Sequence, residues 1–257
     1  MQKLTIIKVG GKIVEEPDTL AALIADFARI PGLKLLVHGG GRSATRLATQ
    51  LGIEQKMVDG RRITDADTLR IVTMVYGGLV NKNIVTSLQA EGINAIGLTG
   101  ADMDIIRSHR RPAGEIDYGF VGDVDRVDAQ AIARLLDAGL VPVIAPLSHD
   151  GHGSMLNTNA DTIASEVARA LAPLFDTTLT FCFEKSGVLA DENDDKSVIK
   201  KIDRATYQQL RDRNIIAGGM IPKLDNAFKA LNSGVKEVII TKADAIATPG
   251  SGTVICD

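Results

Sequence analysis

The sequence has no tryptophan and only two cysteines, and 4% of its 257 residues are aromatic. A core with so few aromatic side chains has to be built from leucine, isoleucine, valine and alanine. Cys182 stands in the apolar run TTLTFCF, where a small buried thiol is expected. Cys256 is far from it in the chain, and this cysteine usage suits a reducing compartment.

Long apolar runs and a surplus of positive charge are also missing. No run approaches the roughly 20 apolar residues of a membrane span. The N-terminal stretch MQKLTIIKVGGK meets Lys8 too early to form the apolar core of a signal peptide. The formal net charge is -3, which is not the signature of a nucleic-acid-binding domain. We therefore expect a cytoplasmic protein that binds neither membrane nor nucleic acid.

The segments that are present alternate between strand and helix patterns. Apolar strand-like runs such as KLTIIKV and LVPVIAPL are separated by amphipathic segments such as DTLAALIADFARI, which repeat with the helical period. This alternation predicts an α/β protein, a three-layer α/β/α sandwich around a mainly parallel sheet. Residues 1–257 are expected to form a single domain, and the polar segment 103–126 is predicted to be a hairpin or a loop insertion.

Two local patterns predict a turn and a helix start after the second helix. In KMVDGRRIT, Asp59 and Gly60 are typical of the turn of a small hairpin. Thr64 is predicted to begin a long helix, with Asp67 at the third helical position of a capping arrangement.

Glycines follow two of the predicted strands. Gly10 and Gly11 end the first, and Gly39, Gly40 and Gly41 end the second. In open α/β sheets, ligands bind beyond the carboxyl ends of the strands. Exposed backbone N–H groups at such ends favour negative charge, so the two loops are predicted to form an anion cradle.

Other functions of the His38 to Gly41 motif are less consistent with the chain. An esterase oxyanion loop needs a Gly-x-Ser-x-Gly nucleophile motif, which the sequence lacks. A dinucleotide fingerprint fits the Gly39-x-Gly41-x-x-Ala44 spacing, but its acidic residue would be Asp59, which lies in a predicted turn. A Walker A loop is excluded because Ile13 follows Gly10-Gly11-Lys12.

Charged residues also occur at unusual positions. Lys8 ends an apolar strand, where its charge is costly without a partner, although its end could also reach solvent. Lys223 lies near the start of a predicted helix, where the macrodipole disfavours a cation unless an anion binds there. Asp161 could serve only to stabilise the first turn of a predicted helix. Asn157 and Asn159, however, place two further polar groups beside it. The pair His149 and His152 has no third ligand nearby and is interpreted as surface.

Six motifs in order give the sequence a family resemblance. KVGG, VHGGG, DGRRIT, LNTNAD, SGVL and GGMIPKLDNA are together similar to the amino-acid kinase family over essentially the whole chain. The resemblance implies the amino-acid kinase fold. It also implies ATP-dependent phosphorylation of the side-chain carboxylate of N-acetyl-L-glutamate to an acyl phosphate, a step of arginine biosynthesis. Open alternatives are N-succinylglutamate as substrate, another kinase of the fold (carbamate, uridylate or glutamate 5-kinase), a ligand sensor, or a dinucleotide enzyme.

The resemblance also implies roles for individual residues around the transferred group. Lys8 and Lys223 would be the cations on the transferring phosphoryl group, with Asp161 holding both lysines. Gly11 and Gly40 would donate backbone N–H groups, so a side chain at Gly40 would block phosphoryl transfer. Mg²⁺ would be held chiefly by the ATP phosphates, without a protein metal site.

The resemblance divides the remaining binding residues between substrate and nucleotide. Substrate would contact Gly39, Gly40, Gly41, Arg62, Asn157 and Asn159, with Arg62 on the α-carboxylate. Nucleotide would contact Lys8, Gly10, Gly11, Glu184, Lys185, Ser186, Gly187, Val188, Leu189, Ile215, Ile216, Ala217 and Lys223. These groups correspond to an acylamino-acid lobe of about residues 1–175 and a nucleotide lobe of about residues 176–257.

Three features depart from the family pattern. Glu184-Lys185 stands at the expected nucleotide contacts in place of a common Asp-Val pair. Lys12 adds a charge close to the expected phosphates. The chain also starts directly in its first predicted strand, where arginine-inhibited members have an extra helix, so the resemblance implies an arginine-insensitive homodimer.

Overall fold

The structure is a computed structural model that describes residues 1–58, 61–216, 218 and 220–256, with the backbone alone at Pro222. The predicted turn Asp59-Gly60 and the predicted nucleotide contact Ala217 lie outside the described residues.

Strands make up three sheets in the described part of the chain. They are β1 Lys3–Val9, β2 Leu33–His38, β3 Met57–Val58, β4 Arg61–Arg62, β5 Ala95–Leu98, β6 Ile106–Arg110, β7 Gly122–Val127, β8 Val141–Ile144, β9 Leu147–His149, β10 Met155–Asn157, β11 Asp176–Phe183, β12 Lys201–Ile202, β13 Glu237–Lys242 and β14 Thr253–Ile255.

Helices alternate with these strands. They are α1 Gly11–Glu15, α2 Pro17–Arg29, α3 Gly41–Gln50, α4 Ala66–Val72, α5 Asn81–Ala90, α6 Ala129–Asp137, α7 Ala160–Leu171, α8 Arg204–Asp212 and α9 Met220–Asn232. A π-helical segment, Thr73–Val80, joins α4 to α5. None of the helices in the described ranges is long and apolar enough to cross a membrane.

The main sheet has eight strands in the order β12-β14-β13-β11-β1-β2-β8-β5. Its pairs are parallel except β13 with β14. Since β1, β2, β8 and β11 run in the same direction, their carboxyl ends meet at one edge. The two glycine loops, His38 and Phe183 are therefore placed at the same edge.

Two apolar clusters cover the two faces of this sheet. Successive residues of β1 alternate between them: Ile6 packs with α6, α7, α8 and α9, and Ile7 packs with the helices from α1 to α5. Both clusters consist mainly of aliphatic side chains, as the composition predicts. The predicted three-layer α/β/α sandwich with a mainly parallel sheet is confirmed.

A second sheet of four strands, β10-β9-β6-β7, stands beside the first. β6 and β7 form an antiparallel hairpin, which confirms the hairpin alternative for residues 103–126. β9 and β10 pair antiparallel, and the last residue of β10 is Asn157. This second sheet brings Asn157 to the edge where the glycine loops lie.

The predicted helix start at Thr64 is wrong by one residue at its cap. Asp65, not Thr64, is the N-cap of α4, and its carboxylate accepts from the N–H of Thr68 at 2.8 Å. Thr64 instead bridges to Gly119, and its buried hydroxyl accepts from Asn157 at 2.9 Å. A carboxylate one position later satisfies the free N–H groups equally well, so the motif fixed the helix only to within one residue.

Candidate active site

The two glycine loops touch backbone to backbone. The N–H of Gly39 donates to the carbonyl of Val9 at 2.9 Å. A Cβ on Gly39 would lie 2.8 Å from the nitrogen of Gly11, and a Cβ on Gly11 would lie 3.1 Å from the nitrogen of Gly40. Glycine is needed here because any side chain would separate the loops. Their amide groups at the starts of α1 and α3 are thereby brought to one place.

Tyr76 packs against the second loop from the π-helical segment. A Cβ on Gly40 would meet Cδ1 of the Tyr76 ring at 2.9 Å and Val80 at 3.3 Å. The ring is buried, and burial raises the pKa of Tyr76 above its ordinary value. A π-helix adds one residue to a turn and re-aims its side chains, and such turns are frequent at functional sites. The paired glycines Gly77 and Gly78 were the sequence signal for an irregular helix, and it was missed.

His38 supports the same loop from beneath. Its Nδ1 lies 2.7 Å from the carbonyl oxygen of Gly39, and its Nε2 lies 3.1 Å from the amide nitrogen of Asn81. That amide also donates to the carbonyl of Val143 at 2.9 Å. Burial lowers the pKa of His38 from 6.5 to about 4, so the ring is neutral at neutral pH. A neutral ring donates from Nδ1 and accepts at Nε2, which fits both contacts.

Lys8 and Asp161 form an ion pair at the shared edge. The ammonium nitrogen of Lys8 lies 2.7 Å from Oδ1 of Asp161, and Lys8 is only 7% exposed. Asp161 occupies the first turn of α7, where the helix dipole favours a carboxylate. The buried charge on Lys8 is therefore balanced, which removes most of the cost anticipated from its position in an apolar strand.

Lys223 lies nearby but not in contact with Asp161. Its ammonium nitrogen stands 3.6 Å from the centroid of the Phe183 ring, and in the described part of the chain it forms no ion pair within 4.0 Å. Burial is the largest cause of its lowered pKa, and the charge of Lys8 adds to the lowering. Asp161 pairs directly with Lys8, and its charge also opposes the lowering of the Lys223 pKa, while the ammonium group of Lys223 lies over the Phe183 ring. That Asp161 holds both lysines stays a prediction.

A cavity of about 740 Å³ opens beside these groups. Its walls bring together the predicted residues Gly39, Gly40, Gly41, Arg62, Asn157, Asn159, Asp161 and Lys223. They also include residues that sequence reasoning missed, among them Arg61, Tyr76, Arg111, Tyr118 and Asp123. These come from β4, the π-helical segment, β7 and the connection between β6 and β7, and no local pattern reveals that they meet.

Arg62 is buried at one wall of the cavity. It donates from Nη2 to the carbonyl of Gly41 at 2.9 Å and to Thr45 at 3.0 Å, and from Nη1 to Gln55. A guanidinium has five N–H donors. Three of them hold the group against Gln55, Gly41 and Thr45, and its charge also acts on the hydroxyl of Tyr76.

The two asparagines play different parts. Asn157 uses its amide nitrogen on Thr64, which leaves its carbonyl oxygen available toward the cavity. Asn159 is the N-cap of α7, and its carbonyl oxygen accepts from the N–H groups of Asp161 at 2.8 Å and Thr162 at 3.1 Å. Asn159 therefore holds the start of the helix that positions Asp161.

The described residues of the predicted nucleotide segments, 184–189 and 215–216, do not line this cavity. Glu184 and Lys185 are exposed, whereas Val188 and Ile216 are each 2% exposed and belong to the core. The N–H of Val188 donates to the hydroxyl of Thr253 at 2.8 Å. Ser186 and Gly187 precede it, and Leu189 and Ile215 are 9% and 37% exposed.

Two of the departures from the family pattern meet in space. Lys12, at the start of α1, forms an ion pair with Glu184, which follows β11. The side chains are 43% and 54% exposed, so the bond is weak in water. The contact joins the first glycine loop to the predicted nucleotide segment.

Side chains that could bind a metal ion are not clustered in the described part of the chain. Across residues 1–58, 61–216, 218 and 220–256, no cluster of three or more His, Cys, Asp or Glu side chains could hold a metal ion. His149 contacts Asp104 at 2.7 Å, and His152 lies in an exposed turn.

The chain matches a known protein family over most of its length. The amino acid kinase family matches residues 3–242. The chain belongs to the amino acid kinase family. Proteins named acetylglutamate kinase from Phocaeicola vulgatus and Bacteroides thetaiotaomicron are each 68% identical to it, over 99% and 95% of this chain and 98% and 95% of theirs.

A solved structure supports the same membership. The crystal structure of smu.665 from Streptococcus mutans UA159 superposes with a TM-score of 0.80 at 31% identity, over 98% of both chains. The amino acid kinase fold implied by the six motifs is confirmed.

Replacing Gly40 by alanine tests the loop packing in this amino acid kinase. We expect Gly40→Ala to lower the free energy of unfolding by about 1–3 kcal/mol, because its Cβ collides with the Tyr76 ring. Gly10→Ala is the matched control, since a Cβ there meets nothing within 4 Å. Urea unfolding of both variants measures the difference, and the cost should shrink in a Tyr76→Leu background. Equal stability of the two glycine variants would contradict the packing.

Acidification tests the buried His38. The unfolded chain takes up a proton on His38 below pH 6.5, whereas the folded chain does so only near pH 4. The free energy of unfolding should therefore fall as pH drops, with about 2 kcal/mol from His38 alone between pH 7.5 and 5. Urea unfolding at both pH values should show His38→Gln losing that much less than the parent chain. An identical loss in both would show that His38 is not held neutral.

Proposed function

We propose that the protein transfers the γ-phosphoryl group of ATP to the side-chain carboxylate of N-acetyl-L-glutamate, giving an acyl phosphate and ADP in arginine biosynthesis. The observation that supports it most is one cavity that has Arg62 and Lys223 in its walls, together with Asp161, which forms an ion pair with Lys8. Arg62 supplies a buried positive charge for a carboxylate, while Lys223 lines the same cavity as Gly39, Gly40 and Gly41. The relatives that share 68% identity are named for this activity.

The proposed chemistry needs no general base. A side-chain carboxylate is ionised at pH 7 and attacks the γ-phosphorus directly. The new carboxyl O–P bond forms as the bond to the bridging oxygen breaks, and the electron pair leaves with ADP. Negative charge then grows on the bridging and equatorial oxygens. The Gly11 and Gly40 amides with Lys8 and Lys223 are positioned to stabilise that charge.

Asp161 has a supporting part in this proposal. It neutralises Lys8 in the free protein and fixes its ammonium group at the carboxyl edge of β1. Asn159 in turn fixes Asp161 by capping α7. Removing the Asp161 carboxylate would leave Lys8 buried without a partner.

ATP and Mg²⁺ fit this arrangement. The glycine amides and lysines suit a triphosphate, and the described residues hold no carboxylate cluster for a dedicated metal site. We propose that Mg²⁺ is held mainly by the phosphates, as is common for kinases. It would neutralise charge on the β- and γ-oxygens, while the protein groups orient the acceptor carboxylate.

A second substrate, N-succinylglutamate, is favoured by one feature of the cavity. Arg61 and Arg111 also line it, in addition to Arg62. Arg111 is paired with Asp123 at 2.5 Å, whereas Arg61 is exposed. An exposed arginine at the wall is suited to bind a carboxylate on a longer acyl group.

The proposal also divides the chain into two lobes. We propose that residues 1–175 form the acylamino-acid lobe and residues 176–257 the nucleotide lobe, since the cavity is lined mainly from the first part.

We also propose a homodimer, supported by the exposed apolar side chains Met74 and Leu79 on the π-helical segment. Light scattering should give twice the 27.3 kDa chain mass. A mass of one chain at micromolar concentration would contradict the dimer.

Trapping the acyl phosphate tests the reaction. With ATP, Mg²⁺ and hydroxylamine, we expect hydroxamate from N-acetylglutamate or N-succinylglutamate, and the ratio of kcat/KM values identifies the acyl group. Lys223→Ala should lower kcat by about 10²–10³, as expected for loss of one donor to the transition state. Lys229→Ala is the matched control, because Lys229 is exposed in the last turn of the same helix. No hydroxamate from either substrate would overturn the proposal.

A further inference from the structure

Phe183 lies where the two lysines approach each other. It is the last residue of β11, at the carboxyl edge of the sheet. The ammonium nitrogen of Lys223 is 3.6 Å from its ring centroid, and that of Lys8 is 5.6 Å away. Both distances lie within the range in which a cation is attracted to the face of an aromatic ring.

The two lysines near the Phe183 ring differ in their ion-pair partners. Lys8 has Asp161 at 2.7 Å, but Lys223 has no ion-pair partner within 4.0 Å in the described part of the chain. Lys223 is partly buried, and removing an ammonium group from water is costly without compensation. The electron-rich face of Phe183 is the close partner that supplies it.

We propose that Phe183 is a positioning residue that holds the Lys223 ammonium group on its ring face, ready to move onto the transferring phosphoryl group. This inference rests on the proposed kinase function. An aromatic face suits the task because it attracts a cation less strongly than a buried carboxylate does. A carboxylate at this place would compete with the phosphate for the lysine, whereas a ring releases it.

The ring itself is held in place by its own strand. Phe181 stacks with Phe183, with centroids 6.3 Å apart and ring planes 7° apart. β11 pairs with β1 on one side and with β13 on the other. Phe183 is therefore preorganised, and Lys223 reaches it from α9 on the opposite side of the site.

Leucine and tyrosine replacements separate the ring face from simple packing. Phe183→Leu keeps an apolar side chain and removes the π face, whereas Phe183→Tyr keeps the face. We expect Phe183→Leu to lower kcat about 3- to 30-fold with the KM for the acylglutamate unchanged. Phe183→Tyr should restore most of the turnover. Phe175→Leu, at a buried ring in the same apolar cluster with no lysine on its face, controls for loosened packing.

The pH profile gives a second readout. The charged groups facing Lys223 are Lys8 on β1, Asp161 on α7 and Glu184 after β11. Loss of the ring destabilises the ammonium form, so the alkaline limb of kcat should move down by about 0.5 to 1 pH unit in Phe183→Leu. Phe175→Leu should leave that limb in place.

A spectroscopic measurement does not depend on activity. Reductive methylation with ¹³C-formaldehyde labels the lysines, and the Lys223 signal is assigned from its absence in Lys223→Gln. A group over a ring face is shifted upfield by the ring current, so this shift should be present in the parent chain and in Phe183→Tyr but lost in Phe183→Leu.

The outcomes separate this inference from the proposed function. A parent chain without kinase activity would overturn the proposed function, while the upfield shift would still report the contact. An active parent chain with the same kcat, alkaline limb and Lys223 signal in Phe183→Leu would overturn the role of Phe183. A loss of kcat that Phe183→Tyr does not restore would assign Phe183 to packing alone and would also overturn it.

Discussion

The rest of the site depends on the close approach of two backbone loops that carry no side chains. β1 and β2 are parallel neighbours, and the hydrogen bond from Gly39 to Val9 extends their ladder into the loops. Gly11 and Gly39 then lie so close that a single Cβ would force them apart. Because α1 and α3 begin at these loops, the same contact aims their first amide groups at one point.

The charged groups are arranged so that the free protein tolerates concentrated positive charge. Lys8 is balanced by Asp161, Lys12 by Glu184, and Lys223 by the face of Phe183. These three partners differ in kind: a partly buried carboxylate, an exposed carboxylate and an aromatic ring.

The edge of the sheet was predictable because its residues carry strong local signals. Apolar runs ending in glycine placed Lys8, Gly11 and Gly40 at strand ends, and the parallel topology then required those ends to meet. The position of Arg62 was predicted only through the family resemblance, and the structure places it at the cavity wall. The N-cap of α4 was predicted at Thr64 but is Asp65. Both residue types suit an N-cap, and only the path of the chain distinguishes them.

Other parts of the site had no local signal. The π-helical turn that sets Tyr76 against Gly40 looks in the sequence like a weak helix interrupted by glycines. Phe183 looked like one more apolar strand residue, and the pairing of Lys12 with Glu184 spans 172 positions. Contacts between distant segments follow from how helices pack onto a twisted sheet.

The sequence by itself determined the layers, the position of the two glycine loops at the carboxyl ends of strands, and the residue types available there. It could do so because periodicity and glycine placement are local properties of the chain. The tertiary structure decided the partner of each charge. Asp161 forms its ion pair with Lys8, and Lys223 lies over a ring, since α7 and α9 approach β11 from positions fixed by core packing rather than by sequence spacing.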